Sequence, residues 1–395
     1  MPLIDTLPLE TSHILNSVPA LINKTFPMPG RFRSSLPSQI AELSGLLTNR
    51  RGDRLLSYLG RPNYLSAYLH YFLPWNLYRL CILLHSLNIT LVSGDTITDL
   101  GSGPLTFISA LWIARPDLRT IPLEINCIDR CAPALEAGNK FLTAICAVTG
   151  EGKNIAWKVN LLREDIDVRR PVFRKRKQAA LVCAVNLFNE IYEGLAHNNA
   201  EGLKRIAANA ARLMHNEAST NASILTVEPG VPQSGRFIAF LRAAFLELKR
   251  PPVSPCTHTK ACPLAGGLRT EGAAPPRRTH GEKKRWCHFA FEPVDAPKEF
   301  HLLSAAAKIP KDRLVLSFLL TGTLTEHSAK VRVISDAFPL PHNRFGRYGC
   351  CAQGFVLLAG SKEHIEKMNS GNLVTPVLTT NERDAKSGAL IMEIK

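Results

Sequence analysis

Five cysteines in the second half of this 395-residue chain carry the clearest chemistry: Cys256, Cys262, Cys287 and the adjacent pair Cys350 and Cys351. They stand in three loop-like segments, Pro255-Cys-Thr-His-Thr-Lys-Ala-Cys-Pro263, Trp286-Cys-His-Phe289 and Gly349-Cys-Cys-Ala-Gln-Gly354. Four soft thiolates drawn from such segments suit an iron–sulfur cluster or a tetrahedral zinc ion. The spacing fits no zinc-finger template, because five residues separate Cys256 from Cys262 and the last thiols follow Cys287 by more than sixty positions. Irregular spacing suits a cubane, whose corners lie several ångströms apart. Cys350 and Cys351 compete for the fourth place. His258 and His288 sit beside these cysteines and are expected to hydrogen-bond around the site or lie exposed, not to ligate. The other five cysteines, Cys81, Cys127, Cys131, Cys146 and Cys183, fall on helical or strand patterns and are expected in the core. A radical enzyme is disfavoured, since no CxxxCxxC pattern occurs.

A second constellation lies upstream. Asp99-Leu-Gly-Ser-Gly-Pro-Leu105 follows an apolar run and precedes a helical one, as the first ligand-binding turn of an α/β sheet should. Gly101 and Gly103 clear the backbone for close approach, and Asp99 can face a ligand's charged end. Thirty residues on, Asp129 ends the next apolar run, where a carboxylate can accept the hydroxyls of a ribose. Two acids at strand ends would oppose a pyrophosphate, so the pattern fits S-adenosylmethionine better than a dinucleotide. Where a third glycine is usual the chain has Pro104 and Leu105, and Leu105 is expected to crowd the methionine end of the pocket. Asn186 and Asn189 close a further run and point to contact with the donor or an acceptor base, while Glu190 reads equally as a site residue or a helix cap. Val227-Glu-Pro-Gly230 ends another run in the same way. No acid–base dyad stands out, which suits methyl transfer, where orientation supplies most of the rate.

The elements that position these groups follow from periodicity. Residues 1–94 read as helical, with apolar residues at helix spacing over Ile40–Leu47 and again through Tyr64, Tyr68, Tyr71, Leu77 and Leu84; Pro74 should break or kink the second helix. From Thr96 short apolar runs alternate with longer helical ones. Strands are expected at Thr96–Leu100, Glu124–Asp129, Ala179–Phe188 and Ser223–Glu228, with helices at Leu105–Ala114, Ala132–Val148 and Leu203–His215. That alternation predicts a doubly wound, mostly parallel sheet over residues 95–250. Residues 251–395 read as a loop-rich cysteine module with strands near Arg313–Thr321, Lys330–Ile334 and Gly354–Ala359, stabilised by its metal.

Composition narrows the setting. An apolar share of 45% with 21% charged residues is that of a soluble globular chain. Met1-Pro-Leu-Ile-Asp5 resembles neither a secretory signal nor a transit peptide, and the apolar stretch from Tyr64 to Ile89 is broken by His70, Pro74, Asn76, Arg79 and His85, so no membrane span is expected. Ten cysteines without a secretory signal argue for a reducing, cytoplasmic location. A monomer is expected. The net charge of +15 is concentrated: Arg169–Lys177 holds six Lys/Arg and no acid, and Lys249–Arg285 holds nine against two acids. Such windows attract a phosphate backbone and favour RNA or ribosome contact over two merely solvated loops.

The order of the Tyr64 helix, Asp99-Leu-Gly-Ser-Gly103, Asn189-Glu190, Val227-Glu-Pro-Gly230, Cys256-x-His-x-x-x-Cys-Pro263, Trp286-Cys-His-Phe289 and Cys350 resembles the methyltransferase-like protein 17 family, over residues 50–360. Its members occur in mitochondria and bacteria and associate with the small ribosomal subunit. The resemblance implies an α/β, class I methyltransferase Rossmann-like sheet with an N-terminal helical region and a C-terminal β-rich cysteine module. It also implies a [4Fe-4S] cluster, with zinc as the alternative, and a role in ribosome assembly and translation through rRNA of the small subunit. Carried over by motif, the ligands are Cys256, Cys262, Cys287 and Cys350. The insertion bearing Arg277, Arg278, Lys283, Lys284 and Arg285 is longer than the family pattern. Two functions then compete: an S-adenosylmethionine-dependent methyltransferase acting at rRNA, and a non-enzymatic assembly factor with a vestigial donor pocket.

Overall fold

A computed structural model describes residues 2–48, 58–150, 155–169, 176–192, 195, 199–264, 285–322, 330–378 and 381–394. The N-terminal region is helical: α1 (Leu9–Thr25), α2 (Gly30–Arg33), α3 (Leu36–Leu47), α4 (Pro62–Ala67) and α5 (Leu73–Ser86). Between α4 and α5 the residues Tyr68–Phe72 form a π turn. Pro74 therefore sits at the second position of α5, where a missing N–H costs nothing, and the wider turn before it takes up the irregularity expected at the proline.

Alternation then begins, through β1 (Thr96–Leu100), α6 (Thr106–Ala114), β2 (Leu123–Asp129), α7 (Ala132–Val148), β3 (Trp157–Arg163), β4 (Ala179–Val185), α8 (Phe188–Ile191), α9 (Ala200–Glu217), β5 (Ala218–Pro229) and α10 (Pro232–Glu247). The strands β3, β2, β1, β4 and β5 are parallel neighbours in that order. All five residues of β1 are buried, as a central parallel strand covered on both faces requires. One face carries α1, α5, α6 and α7 around Ile97, Ile125 and Leu181. The other carries α9 and α10 around Val182, Ala184 and Ile224. Asn199 caps α9 by accepting the Gly202 amide at 2.7 Å.

Beyond residue 250 the chain first returns to this sheet before anything separate forms. β6 (Pro252–Ser254), β7 (Phe289–Phe291) and β8 (Leu314–Thr321) all join it, with β8 antiparallel to β5 and β6 and β7 antiparallel to β8. The expected boundary at 251 thus falls inside the main sheet. The reason is visible in β8, whose run Leu-Val-Leu-Ser-Phe-Leu-Leu-Thr is buried at seven of its eight positions and needs cover on both faces. After α11 (Lys298–Ala306), a second sheet gathers β9 (Val331–Val333), β10 (Phe338–Leu340), β11 (Arg344–Cys351), β12 (Gly354–Gly360), β13 (Leu373–Val374) and β14 (Leu390–Glu393). Its outer face closes on α12 (Lys362–Glu366) through Val356, Leu358 and Ile365. Among the described residues no helix is long and apolar enough to cross a membrane.

Candidate functional site

In an open parallel sheet the ligand crevice opens outside the carboxyl ends of the strands, where the strand order reverses. Here the reversal lies between β1 and β4. The ends of β1, β2, β4 and β5, together with Tyr68, Phe72, Asn76 and Arg79 from the helical region, bound one cavity of about 620 Å³.

Asp99, the second-last residue of β1, is 1% exposed. Its Oδ1 accepts the Cys183 thiol at 3.3 Å, and its Oδ2 has no hydrogen-bond partner among the described residues. Burial pushes its carboxyl up to about 7, and burial likewise holds the Cys183 thiol protonated as a donor. A carboxyl with one idle oxygen facing a cavity suits a cationic ligand group, which would ionise it. Gly101 and Gly103 turn the chain with φ of 72° and 51°. A Cβ on Gly103 would meet nothing within 4 Å, so the missing side chain leaves open space.

The amides of this turn are already spent. Gly101 and Ser102 donate to the Ile128 carbonyl at 2.8 and 3.0 Å, Gly103 donates to Asp129 Oδ2 at 2.9 Å, and Pro104 has no N–H. A pyrophosphate would therefore meet two carboxyls and no free amide from residue 101 to 104, in contrast to an anion-binding glycine turn. Asp129 Oδ1 also accepts the Cys131 amide at 2.8 Å, so this carboxylate ties the two loops together while facing the cavity. Burial raises its pKa despite both amides.

Leu105 does not crowd the pocket. It takes a left-handed conformation at φ 53°, is fully buried, and points into the core, while Pro104 and Thr106 line the cavity. The loop is pinned from behind by α7, where a Cβ on Gly138 would stand 2.3 Å from the Pro104 carbonyl carbon.

Asn186 ends β4 at φ 54°, and its Oδ1 accepts Arg79 Nη2 at 3.2 Å. Asn189 Oδ1 is buried with no hydrogen-bond partner among the described residues, and both asparagines line the cavity. Glu190 does not cap the helix it belongs to. That role falls to the fully buried Glu228, whose oxygens accept the Phe188 and Asn189 amides at 2.9 and 3.0 Å and whose carboxyl burial pushes up to about 8. Glu190 instead accepts the Tyr58 hydroxyl at 3.1 Å and stands 3.9 Å from Arg130.

Arg79 was not among the expected site residues. Its Nη1 donates to the Val315 carbonyl at 3.3 Å and its Nη2 to Asn76 and Asn186, while its Nε is buried without a partner among the described residues. Burial lowers its pKa to about 10 and raises that of the neighbouring Tyr68 to about 12. The sequence signal was a lone cation inside an otherwise apolar helix, which reads as a bar to membrane insertion and equally marks a buried charge with work to do. Lys311 and Arg313, just before β8, add further positive charge to the same wall.

Cys256, Cys262, Cys287 and Cys350 are half-buried and lie within electrostatic reach of one another. Burial first, then the other three cysteines and Cys351, push the Cys350 thiol well above its ordinary range, and burial with Cys256 and Cys262 does the same for Cys287. His258 Nε2 lies 3.6 Å from Cys350 Sγ. Cys351 faces the other way, buried at 1% against the core of the second sheet, and donates to Gln353 Oε1 at 3.0 Å. Among the described residues no group of three or more His, Cys, Asp or Glu is placed to hold a metal ion. Cys81, Cys127, Cys131, Cys146 and Cys183 are all buried.

Of the two basic windows, residues 170–175 and 265–284, with Arg277, Arg278, Lys283 and Lys284, lie outside the described residues. The described members are partly engaged inside the protein. Arg176 pairs with Glu164 and stands 3.8 Å from Glu217, Arg250 donates to the carbonyls of Ser219 and Ala222, and Arg285 lies 4.8 Å over the Phe355 ring.

No family model matches the chain, and no curated protein matches it in sequence. Among solved structures it is similar to a SAM-dependent methyltransferase from Geobacter sulfurreducens in complex with S-adenosyl-L-homocysteine, at 11% identity over 70% of this chain and 96% of that one, with a TM-score of 0.32. It is also similar to an antibiotic-related methyltransferase, at 11% identity over 58% and 88%, with a TM-score of 0.32. The strand order and the antiparallel β8 make this a doubly wound, mostly parallel α/β sheet.

Proposed function

We propose that the chain binds S-adenosylmethionine in the strand-end crevice and works as a methyltransferase-like protein at small-subunit rRNA, in ribosome assembly and translation, as a member of the methyltransferase-like protein 17 family. The observation that carries this reading is that Asp99, Asn189 and Arg79 line one cavity, each with a buried polar atom that has no partner among the described residues, beside a turn that offers carboxyls and no free amides. Bound there, the donor supplies a methyl group activated on a sulfonium. Asp99 would face the cationic end, Asp129 the ribose hydroxyls, and Asn186 and Asn189 the base or the acceptor. Gly103 keeps the approach clear, and Gly101 makes room for Leu187 behind it. Arg130, Arg169 and Lys311 on the cavity wall would meet the phosphates of an RNA acceptor. Calorimetric titration with S-adenosylmethionine tests this: measurable heat that Asp99→Asn abolishes is expected, and no heat at millimolar donor removes the enzyme.

The four gathered thiols support a [4Fe-4S] cluster held by Cys256, Cys262, Cys287 and Cys350, in a reducing compartment. The donor set is soft and half-buried, as such a cluster requires. When bound, such a cluster would hold three distant segments of chain together and keep a ribosome-docking surface in shape. Anaerobic purification should give a brown protein with about four irons per chain. Colourless protein with one zinc would replace the cluster. Unchanged co-sedimentation with the small subunit for a Cys256→Ser, Cys262→Ser protein would remove the docking role.

One observation favours the non-enzymatic reading. Both Asp129 oxygens already hold backbone amides, so a ribose would share them. Donor binding without methyl transfer to small-subunit rRNA, alongside intact ribosome association, would decide for an assembly factor.

A further inference from the structure

Arg242 and Arg332 are buried cations with no carboxylate beside them. Arg332, in β9, is 6% exposed and donates Nε to the Pro255 carbonyl at 2.9 Å and Nη1 to the Gly371 carbonyl at 2.7 Å. It is also the strand partner of Cys350. Arg242, in α10, is 3% exposed and donates Nη2 to the carbonyls of His258 and Lys260 at 2.7 and 2.8 Å. Among the described residues neither forms an ion pair. Carbonyls satisfy the N–H groups but leave the net charge, and an uncompensated buried ion costs several kcal/mol.

Arg332 stands in strand register with Cys350 and holds the carbonyl before Cys256, and both arginines lie within electrostatic reach of Cys287. Four thiolates around a doubly positive core carry a net charge of −2, and two guanidiniums bring that to zero. We infer that Arg242 and Arg332 are the countercharges of the metal-loaded thiolate centre, each also clamping a segment that carries a ligand. Arg332 holds the residue before Cys256 against the strand opposite Cys350, and Arg242 holds the loop between Cys256 and Cys262. This rests on the cluster proposed above. Arg250, 5% exposed, grips the Ser219 and Ala222 carbonyls and the His215 ring away from the thiols, so burial on carbonyls does not by itself define a countercharge; the thiols beside Arg242 and Arg332 do. Arg250 serves as the internal control.

The test uses the full chain purified anaerobically, as wild type and as Arg332→Met, Arg242→Met, Arg332→Lys and Arg250→Met. Iron and sulfide per chain, iron loss to a chelator and the midpoint potential are measured, with thermal unfolding before and after iron removal. Arg332→Met and Arg242→Met should release iron roughly tenfold faster and shift the potential to more negative values. Arg332→Lys should restore the potential while still losing iron faster, and Arg250→Met should melt lower with wild-type iron and potential. Should Arg332→Met fail to fold, Arg332→Lys and Arg242→Met carry the comparison. Wild-type potential and iron retention in both methionine variants overturns the inference, as does an Arg250→Met protein that behaves like them. A wild-type chain without iron or sulfide overturns the cluster itself.

Discussion

Trp286 donates its indole N–H to the Gly230 carbonyl at 2.9 Å, so the residue before Cys287 is bonded to the residue that closes β5 at the crevice. The ring occupies the space left by Gly235, where a Cβ would stand 2.7 Å from it. Ser317 adds a second link, donating to the Cys287 carbonyl at 2.7 Å from a strand position paired with Glu228. Thiol group and crevice thus share a frame, and disturbance of one should reach the other.

Trp286→Phe keeps the apolar filling over Gly235 and removes only the N–H, leaving the Gly230 carbonyl short of a donor. The cost should be about 1–2 kcal/mol of stability. If metal loading tightens donor binding through this bond, the affinity difference between loaded and stripped protein should shrink in the variant. Calorimetric titration of both forms checks it, and an unchanged difference would show that the two sites are independent.

The buried carboxyl of Asp99 makes stability depend on pH in a definite direction. Its folded pKa, near 7, lies above the ordinary 3.8, so between about pH 4 and 7 the unfolded chain releases a proton that the folded chain keeps. Stability therefore falls as pH rises through that window. Asp99→Asn should flatten the profile and melt higher than wild type at pH 8. It should also bind a cationic ligand at least tenfold more weakly there, because wild-type affinity rises with ionisation of the acid. Denaturant melts at pH 5 and pH 8, paired with titrations, separate the two effects; parallel pH profiles would mean that Asp99 does not titrate near 7.

Much of this architecture was legible because the parallel strands are buried on both faces and read as unbroken apolar runs. The strand Thr96–Leu100 and the helix Ala132–Val148 appear with the expected bounds. β3 was not legible: Trp157-Lys-Val-Asn-Leu-Leu-Arg163 lies at the sheet edge and is buried only at Trp157, which dilutes the apolar signal. β11 was hidden by Gly346 and Gly349, poor strand formers chosen for space, since a Cβ on Gly349 would stand 2.3 Å from Val331 Cγ1. The acids and asparagines at strand ends could be placed because topology puts them there. Glu228 was placed at a strand end, but its capping of the Phe188 and Asn189 amides, like the role of Arg79, was not, because such roles depend on which distant backbone groups arrive beside them.

The two glycines of the crevice turn should fail differently. Gly101→Ala adds a methyl 2.7 Å from Leu187 Cδ1 at a φ of 72°, so stability should drop by about 1–3 kcal/mol. Gly103→Ala meets nothing and pays only the strain of its left-handed φ, about 1 kcal/mol, but its methyl enters the ligand space. Thermal melts should rank Gly101→Ala as the less stable. Donor affinity measured relative to folded protein should rank Gly103→Ala as the weaker binder. A reversal of either order would put the ligand elsewhere.

Cys350 and Cys351 are neighbours in sequence and opposites in space, because successive side chains of a strand point to opposite faces. Cys350 faces Cys256, Cys262 and Cys287, whereas Cys351 packs with Val331, Val356 and Ile365 in the core of the second sheet. Cys350→Ser should therefore empty the thiol centre while leaving the metal-free protein about as stable as before. Cys351→Ser places a hydroxyl in an apolar core and should cost about 1–2 kcal/mol with metal content intact. Iron analysis and denaturant melts on the two variants decide between them. Equal iron loss would mean that β11 can slip by one residue, exchanging the faces of every side chain it carries.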